Sequence, residues 1–449
     1  MKTIRKTADV VIAGSGPGGA TVAKRLAEAG KKVLLLEKGR DNKFIGNHIA
    51  ALFYSDKMGM NWTEEGVNIV RALTTGGSTL MYCGSATPPP PLLKTQYGVD
   101  LDKYVEETIA ELNLEPLPDE VIGTAGMRLM EAANELGYHY EKLRKFINPD
   151  KCKSVCGGTC MLGCPKGAKW TAREYIKDML DAGGELITRA DVQQATVEDG
   201  TVTGLTANIP GGVLEVEAKV AIISAGGIGT PSILQKSGLH EAGKGMFIDP
   251  LVFVTGVSKY RGTCLGPPMS IGTYEFNDEG VLISDLIDPL GVWIIMAALR
   301  NTSKVLDFLK YRRMLGLMVK IGDERKGYIT IDGHISKPLT ERDRERLNRG
   351  AAMSREILIK AGCDPRSVIV GPVRGAHPGA TARIGKVVDR NLETRFKNLY
   401  VSDASALPEA IDRPMVLTII SLAKRLSDHL LENVFGQDKD AGTARPGHN

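Results

Sequence analysis

The sequence predicts an α/β fold in two parts: a discontinuous domain with a parallel sheet flanked by helices, and an α+β domain with an antiparallel sheet set into it. Three observations lead there. A strand, a glycine turn and a helix open the chain at Asp9; a second unit of the same kind begins at Lys219; and from Leu251 to about Lys337 short runs alternate as in antiparallel strands. At 449 residues and 43 % apolar content, the chain exceeds the usual size of one core and can fill two.

The opening unit is the most informative. Asp9 to Ala13 is a short apolar run, Gly14-Ser15-Gly16-Pro17-Gly18-Gly19 contains G-x-G-x-x-G, and Ala20 to Ala29 places Val22, Ala23 and Leu26 on one helical face. Glycines suit such a turn because bare backbone must approach a pyrophosphate while the helix packs against the strand. The helix N-terminus then offers free N–H groups and a positive dipole end. A second strand, Lys32 to Leu36, ends on Glu37, eighteen residues beyond Gly19. A carboxylate there can accept hydrogen bonds from both ribose hydroxyls, which argues against a 2′-phosphate. This is a Rossmann-like dinucleotide site, and the motif alone does not separate NAD from FAD.

Residues 45–66 show little periodicity and read as a loop or lid. Arg71 to Ser85 holds Gly76-Gly77-Ser78-Thr79, a second place where bare backbone can lie against a cofactor, and Pro88 to Pro91 form an extended connector. Residues 101–146 carry helical spacing, a cysteine-rich stretch follows, and Thr171 to Ala182 is a helix. Strands at Glu185–Thr188, Gln193–Val197 and Val202–Ala207, with a turn at Asp199-Gly200, make an antiparallel patch. Lys219 to Ser224 is a continuous apolar strand running into Ala225-Gly226-Gly227-Ile228-Gly229, so the chain returns to the first sheet. Strands are then expected at Leu251–Val257, Pro268–Phe276, Val281–Leu286, Leu315–Ile321 and Gly327–Ile331, with a helix at Thr340–Ala361. A last strand, Asn398–Ser402, and a helix, Met415–Leu431, rejoin the opening domain. The expected organisation is 1–90, 165–250 and 376–449 as the nucleotide-binding domain, 91–164 as a helical and cysteine-rich segment, and 251–375 as the substrate domain. Residues 436–449 are polar and read as a frayed tail.

A net charge of only +4, without long single-sign runs, points away from nucleic acid. There is no continuous apolar run of the ~20 residues a membrane span needs, and the first strand begins too early for a signal peptide, so a cytoplasmic location is expected. Seven cysteines in that setting should be thiols, metal ligands or redox groups.

Four motifs in order resemble the flavin-dependent glucose–methanol–choline (GMC) oxidoreductases: the glycine turn with Glu37; Gly76-Gly77-Ser78-Thr79; Ser224 to Pro231 with Ser237-Gly238; and His377-Pro378-Gly379-Ala380-Thr381 followed by Asn398 to Ser405 and Pro408. The resemblance implies FAD as cofactor and a substrate sheet over its ring system. It implies that Val192 lies by the adenine and Asp403 by the ribityl and phosphate groups, with Ala225, Gly226, Ala404 and Pro414 also lining the cofactor. It further implies that His377 accepts the substrate hydroxyl proton while hydride passes to the flavin, a role that suits a neutral imidazole near pH 7. The chain departs from the family at Arg413-Pro414, where a second His or Asn is usual. Arginine cannot serve as a base. It either anchors an alkoxide, a carboxylate or reduced flavin, or turns to an ion pair with Asp412 or another acid.

Cys152, Cys156, Cys160 and Cys164 recur every fourth residue, with Pro165 after the last. Four reduced thiols so close together suit an iron–sulfur cluster, 4Fe–4S first, then 3Fe–4S, then zinc; the alternative is a set of structural thiols. Some bacterial GMC sugar dehydrogenases look similar here. A cluster would pass electrons singly to an outside acceptor, a ferredoxin-like protein, a quinone or a partner subunit, and so imply a dehydrogenase. The expected reaction is oxidation of a small alcohol or polyol. Reduction of an activated C=C or ketone, or service as an electron-transfer subunit of a complex, are the alternatives. Residues 290–313 read either as a substrate-domain helix with a basic face or as an amphipathic lid touching membrane, quinone or partner.

Overall fold

The computed structural model describes residues 2–152, 158–262, 266–276, 279–300 and 302–436. The chain opens with β1 (Lys2–Ala13), α1 (Pro17–Glu28) and β2 (Val33–Glu37), then passes through α2 (His48–Tyr54), α3 (Asp102–Leu112), α4 (Asp119–Glu135) and α5 (Ala172–Asp181). It adds β3 (Glu185–Thr188) and the meander β4 (Asp191–Glu198), β5 (Thr201–Ile209) and β6 (Gly212–Ile223), which leads into α6 (Gly226–Lys236). A second sheet begins with β7 (Pro250–Val257), β8 (Ile271–Thr273) and β9 (Val281–Asp285). It continues past α7 (Leu290–Arg300) to β10 (Met314–Ile321), α8 (Glu341–Lys360) and β11 (Arg374–Gly375). Finally β12 (Leu399–Val401) and α9 (Val416–Asn433) return to the first sheet.

The first sheet has the order β3-β2-β1-β6-β5-β4. β3, β2, β1 and β6 run parallel, β12 pairs parallel with the end of β6, and β5 and β4 fold back antiparallel. β1 starts at Lys2, well before the apolar run at Asp9. Its outer half pairs residue for residue with Gly212–Ala218 while exposing most of its side chains, so backbone pairing rather than burial holds it. Helices α1, α5 and α9 cover this sheet, and Val10–Ala13, Val33–Leu36 and Val220–Ile223 form its core.

In the second sheet β11, β7, β10, β9 and β8 are neighbours, antiparallel from β11 to β8. Its two faces alternate along each strand, as the pleat requires. Val252, Val254, Ile283 and Val319 share a core with Leu347 and Ile357 of α8. Leu251, Phe253, Leu282 and Met318 share another with Ala376. Lys320 follows Met318 by two and therefore belongs to that second face. The strand expected at Pro268–Phe276 is confined to Ile271–Thr273. Met269 takes positive φ (57°), and the Asp285 carboxylate accepts hydrogen bonds from the Ser270 and Ile271 N–H groups, so the strand begins late.

Candidate active site

The glycines of the opening turn divide by what surrounds them. A Cβ at Gly14 would lie 2.2 Å from the Ser224 carbonyl oxygen, at Gly18 1.7 Å from that of Ser402, and at Gly19 2.0 Å from that of Gly14. These three let β1, β6 and β12 converge on α1. Gly16 and Gly226 differ, since a Cβ at either would meet nothing within 4 Å. Both stand at helix N-termini, α1 and α6, so the two strand–turn–helix units bring open, side-chain-free backbone to the same place, with the Gly226 N–H itself donating to Asp403 (2.8 Å). Ser402 Oγ, buried where β12 ends, has no hydrogen-bond partner. The donor set fits the diphosphate of a dinucleotide.

Glu37 ends β2 beside this turn. Its carboxylate accepts from Ser15 N–H (3.1 Å), Ser15 Oγ–H (2.6 Å) and Gly39 N–H (2.7 Å), and burial pushes its pKa up despite these bonds. Gly76 N–H donates to Ser15 Oγ (3.1 Å), and a Cβ at Gly77 would sit 3.0 Å from Gly16 Cα, so the second glycine motif lies against the first. Thr79 is buried and structural, donating to Gly76 O and accepting from Ala172 N–H. Ser78 Oγ accepts from Ala72 N–H at 3.2 Å. Val192, on β4, is buried one residue from Asp191, which pairs with Lys38, so it lies at the same end of the sheet as Glu37.

Asp403 ties the C-terminal return to α6. Its carboxylate accepts from Gly226 N–H (2.8 Å), Thr230 Oγ–H (2.5 Å) and Ser405, and burial raises its pKa against them. Ala225 precedes that turn, and Ala404 O accepts from Ala380 N–H. Gly227 admits the Pro378 carbonyl oxygen to 1.9 Å from where its Cβ would be, which brings His377, one residue earlier, to the second glycine turn.

At His377 the structure adds two residues. Nδ1 lies 3.0 Å from Asp249 Oδ2 and 3.1 Å from Lys320 Nζ, and Lys320 Nζ is 3.1 Å from the same Oδ2. Asp249 and Lys320 are fully buried, whereas the imidazole is 25 % exposed. Burial and then the Lys320 charge lower the His377 pKa, with Asp249 opposing. Asp249 is held below the usual carboxylate range because Lys320 and His377 outweigh its burial. A neutral ring whose Nδ1–H donates to Asp249 leaves Nε2 as a free acceptor. Ile248 O accepts from the N–H groups of Ala376 and His377, fixing the two crossing strands side by side.

Arg413 Nε donates to Asp412 Oδ1 and Ile411 O, both at 3.1 Å. Burial pushes Asp412 up to about 6. Pro414 is buried just before α9.

Cys152, Cys160 and Cys164 line one small cavity beside Lys166 and Lys169, and Cys156 lies outside the described residues. Among the described residues no three His, Cys, Asp or Glu side chains are placed to hold a metal ion. Lys169 Nζ donates to the carbonyls of Leu80, Tyr82 and Cys160 (2.8–2.9 Å), and burial brings its pKa down to about 8.

Sequence reasoning missed Asp249 and Lys320. Asp249-Pro250 reads as an ordinary strand entry, but a lone lysine in the apolar run Met314–Ile321 was a usable signal, since a buried ammonium requires a partner.

Two models of the GMC oxidoreductase family match residues 91–252 and 323–423, and a model of NAD(P)-binding Rossmann-like domains matches 12–44. An uncharacterized protein of Methanocaldococcus jannaschii is 30 % identical over 94 % of this chain and 100 % of its own length. The long-chain-alcohol oxidase FAO4B of Arabidopsis thaliana is 23 % identical over 96 % of this chain and 68 % of its own length. Pyridoxine 4-oxidase from Mesorbium loti has a similar fold, with TM-score 0.70 and 17 % identity over 95 % of this chain and 99 % of that one. With both halves of the family's pattern matched, and a relative 30 % identical over 94 % of the chain, the chain belongs to the GMC oxidoreductases and is an FAD-dependent oxidoreductase.

Proposed function

We propose that the protein oxidises the CH–OH group of a small alcohol, with His377 as the base. FAD, when bound, supplies the two-electron acceptor for the carbinol hydride; Gly16, Gly226 and Glu37 would hold it. The observation that carries the reading is the fixed imidazole. Asp249 accepts a hydrogen bond from Nδ1–H, so Nε2 is directed away from the buried pair and free to accept the substrate hydroxyl proton. As Nε2 gains that proton, the ring charges beside an ionised carboxylate, which stabilises the imidazolium, while Lys320 holds the carboxylate in place. With Arg413 engaged by Asp412, an arginine anchor for substrate carboxylate loses support, and alcohol oxidation gains over reduction of an activated ketone. The alcohol-oxidising names among the relatives support the same class.

The experiment is anaerobic reduction of the flavin by a panel of primary and secondary alcohols. His377→Ala should keep FAD and slow reduction about a hundredfold or more. Undiminished reduction in that variant would remove the base, and no reduction by any alcohol would remove the reaction class.

A finer reading seats an iron–sulfur group on Cys152, Cys156, Cys160 and Cys164, which would make the enzyme a dehydrogenase serving an outside acceptor. What supports it is that three of these thiols line one cavity; against it, no three among the described residues are placed to hold a metal ion. Iron and sulfide analysis of anaerobically purified protein tests it, and iron-free protein with full dye-linked turnover would discard it.

A further inference from the structure

Of the 19 large apolar side chains that stand exposed among the described residues, twelve fall in two stretches, 44–62 and 290–309, so the exposure belongs to two segments rather than to a scatter. The two stretches meet: the His48 ring lies 3.3–3.5 Å from where a Cβ would sit on Gly291. Phe53 is 80 % exposed, Leu309 75 % and Phe44 71 %. Helix α7, LGVWIIMAALR, is apolar on every side, yet the fold covers only one. Trp293 and Ala297, four apart, are buried in the second core, while Leu290 and Ile295 face outward. A helix apolar all round wants a non-aqueous neighbour on its free side.

Charge says which neighbour. Residues 290–313 contain Arg300, Lys304, Lys310, Arg312 and Arg313 against Asp307 alone, a net of +4 (5 − 1), equal to the formal charge of the whole chain. A second copy packed on the same patch across a two-fold axis would set these charges against each other. Phe, Leu, Ile and Met dominate the patch and the exposed Lys310, Arg312 and Arg313 flank it, the pattern of segments that lie in a lipid interface. No described helix is long and apolar enough to cross a membrane. We infer that this face docks the protein, without spanning, on an anionic lipid bilayer. The docked layer would cover the cysteine segment, because Gly46 N–H donates to Leu162 O (2.7 Å) and Pro165 packs on Gly46.

The test uses FAD-loaded full-length protein and co-sedimentation with phosphatidylcholine vesicles, with or without roughly 30 % phosphatidylglycerol. Binding should favour the anionic vesicles by about tenfold or more and weaken as salt rises. Phe53→Ser with Leu309→Ser should lower it at least about tenfold, with flavin absorbance showing that the fold is kept. Should that variant lose its flavin, Lys310→Glu with Arg312→Glu provides the second reading, with a similar loss expected on anionic vesicles only. Binding unchanged in the folded variants, no binding to either vesicle, or self-association that the substitutions abolish without any lipid binding would each overturn the proposal. Capture of an acidic protein partner in place of lipid would do so as well.

Discussion

At the scale of single residues, the chemistry proposed at His377 depends on two charges that compete for its Nδ1 side. Lys320 lowers the imidazole pKa and Asp249 raises it, with burial the largest influence and also lowering. The rate of substrate oxidation should therefore fall only on the acid side of 6.5, where the ring protonates. Lys320→Met removes one of the lowering effects, so the acid limb should move to higher pH; a limb that stays or moves down would exclude this role. The same shift has a sign for stability. A histidine with a depressed folded pKa is neutral in the fold while the unfolded chain is already protonating, so stability is lost as pH falls from 6.5 through the folded value. Asp249→Asn keeps the shape and removes the charge that supports the protonated ring, and should slow flavin reduction about ten- to a hundredfold with FAD retained. Stopped-flow reduction at fixed pH measures it.

Among elements, the two glycine turns make separable demands. Gly18 has its space filled by the Ser402 carbonyl, so Gly18→Ala must push β12 off α1 and should cost more than about 3 kcal/mol even without cofactor. Gly16 has φ −67° and open space, so Gly16→Ala should leave apoprotein stability within about 0.5 kcal/mol while weakening FAD retention about tenfold or more. Thermal melts of apoprotein, set against flavin content after gel filtration, separate the two. Equal loss of stability in both variants would show that Gly16 serves packing instead. These turns were legible because their requirement is local: bare backbone at a fixed spacing between a strand and a helix. The position of His377 beside the second glycine turn was legible from its motif. Asp249 and Lys320 were not, because their partnership joins residues 71 apart through the pleat of a sheet whose register the sequence does not state. The outer half of β1 was equally hidden, since its pairing with β6 buries few side chains and leaves no apolar alternation to read. Arg413 stayed open because a neighbouring acid and a substrate anion attract a guanidinium alike.

For the molecule as a whole, the two sheets are joined where residues 247–250 and 375–379 cross side by side, and His377, the proposed base, and Asp249 sit on that crossing. Asp249 holds positive φ (47°) there, and its N–H and that of Ile248 both donate to Asp323. Asp323 in turn meets Lys337 Nζ at 2.8 Å, with both side chains fully buried. Burial pushes the Asp323 carboxyl up to about 7, with Lys337 pulling it down. Because its folded pKa lies above the unfolded one, this carboxyl contributes stability at low pH that is lost as pH rises through about 7. Lys337→Met strips the opposing charge and raises that pKa further. The variant should then be destabilised by about 3–5 kcal/mol at pH values well above 7, where Asp323 must either ionise alone or take up a proton, and by clearly less near pH 5, where it is protonated in both proteins. Urea unfolding at both pH values decides the matter, since an equal loss at each would mean that Lys337 acts only through its carbonyl contacts with Glu324 and Pro338. If the pH dependence holds, alcohol-driven flavin reduction should fall with stability, because the same carboxylate positions the backbone of Asp249 and, through it, the ring of His377.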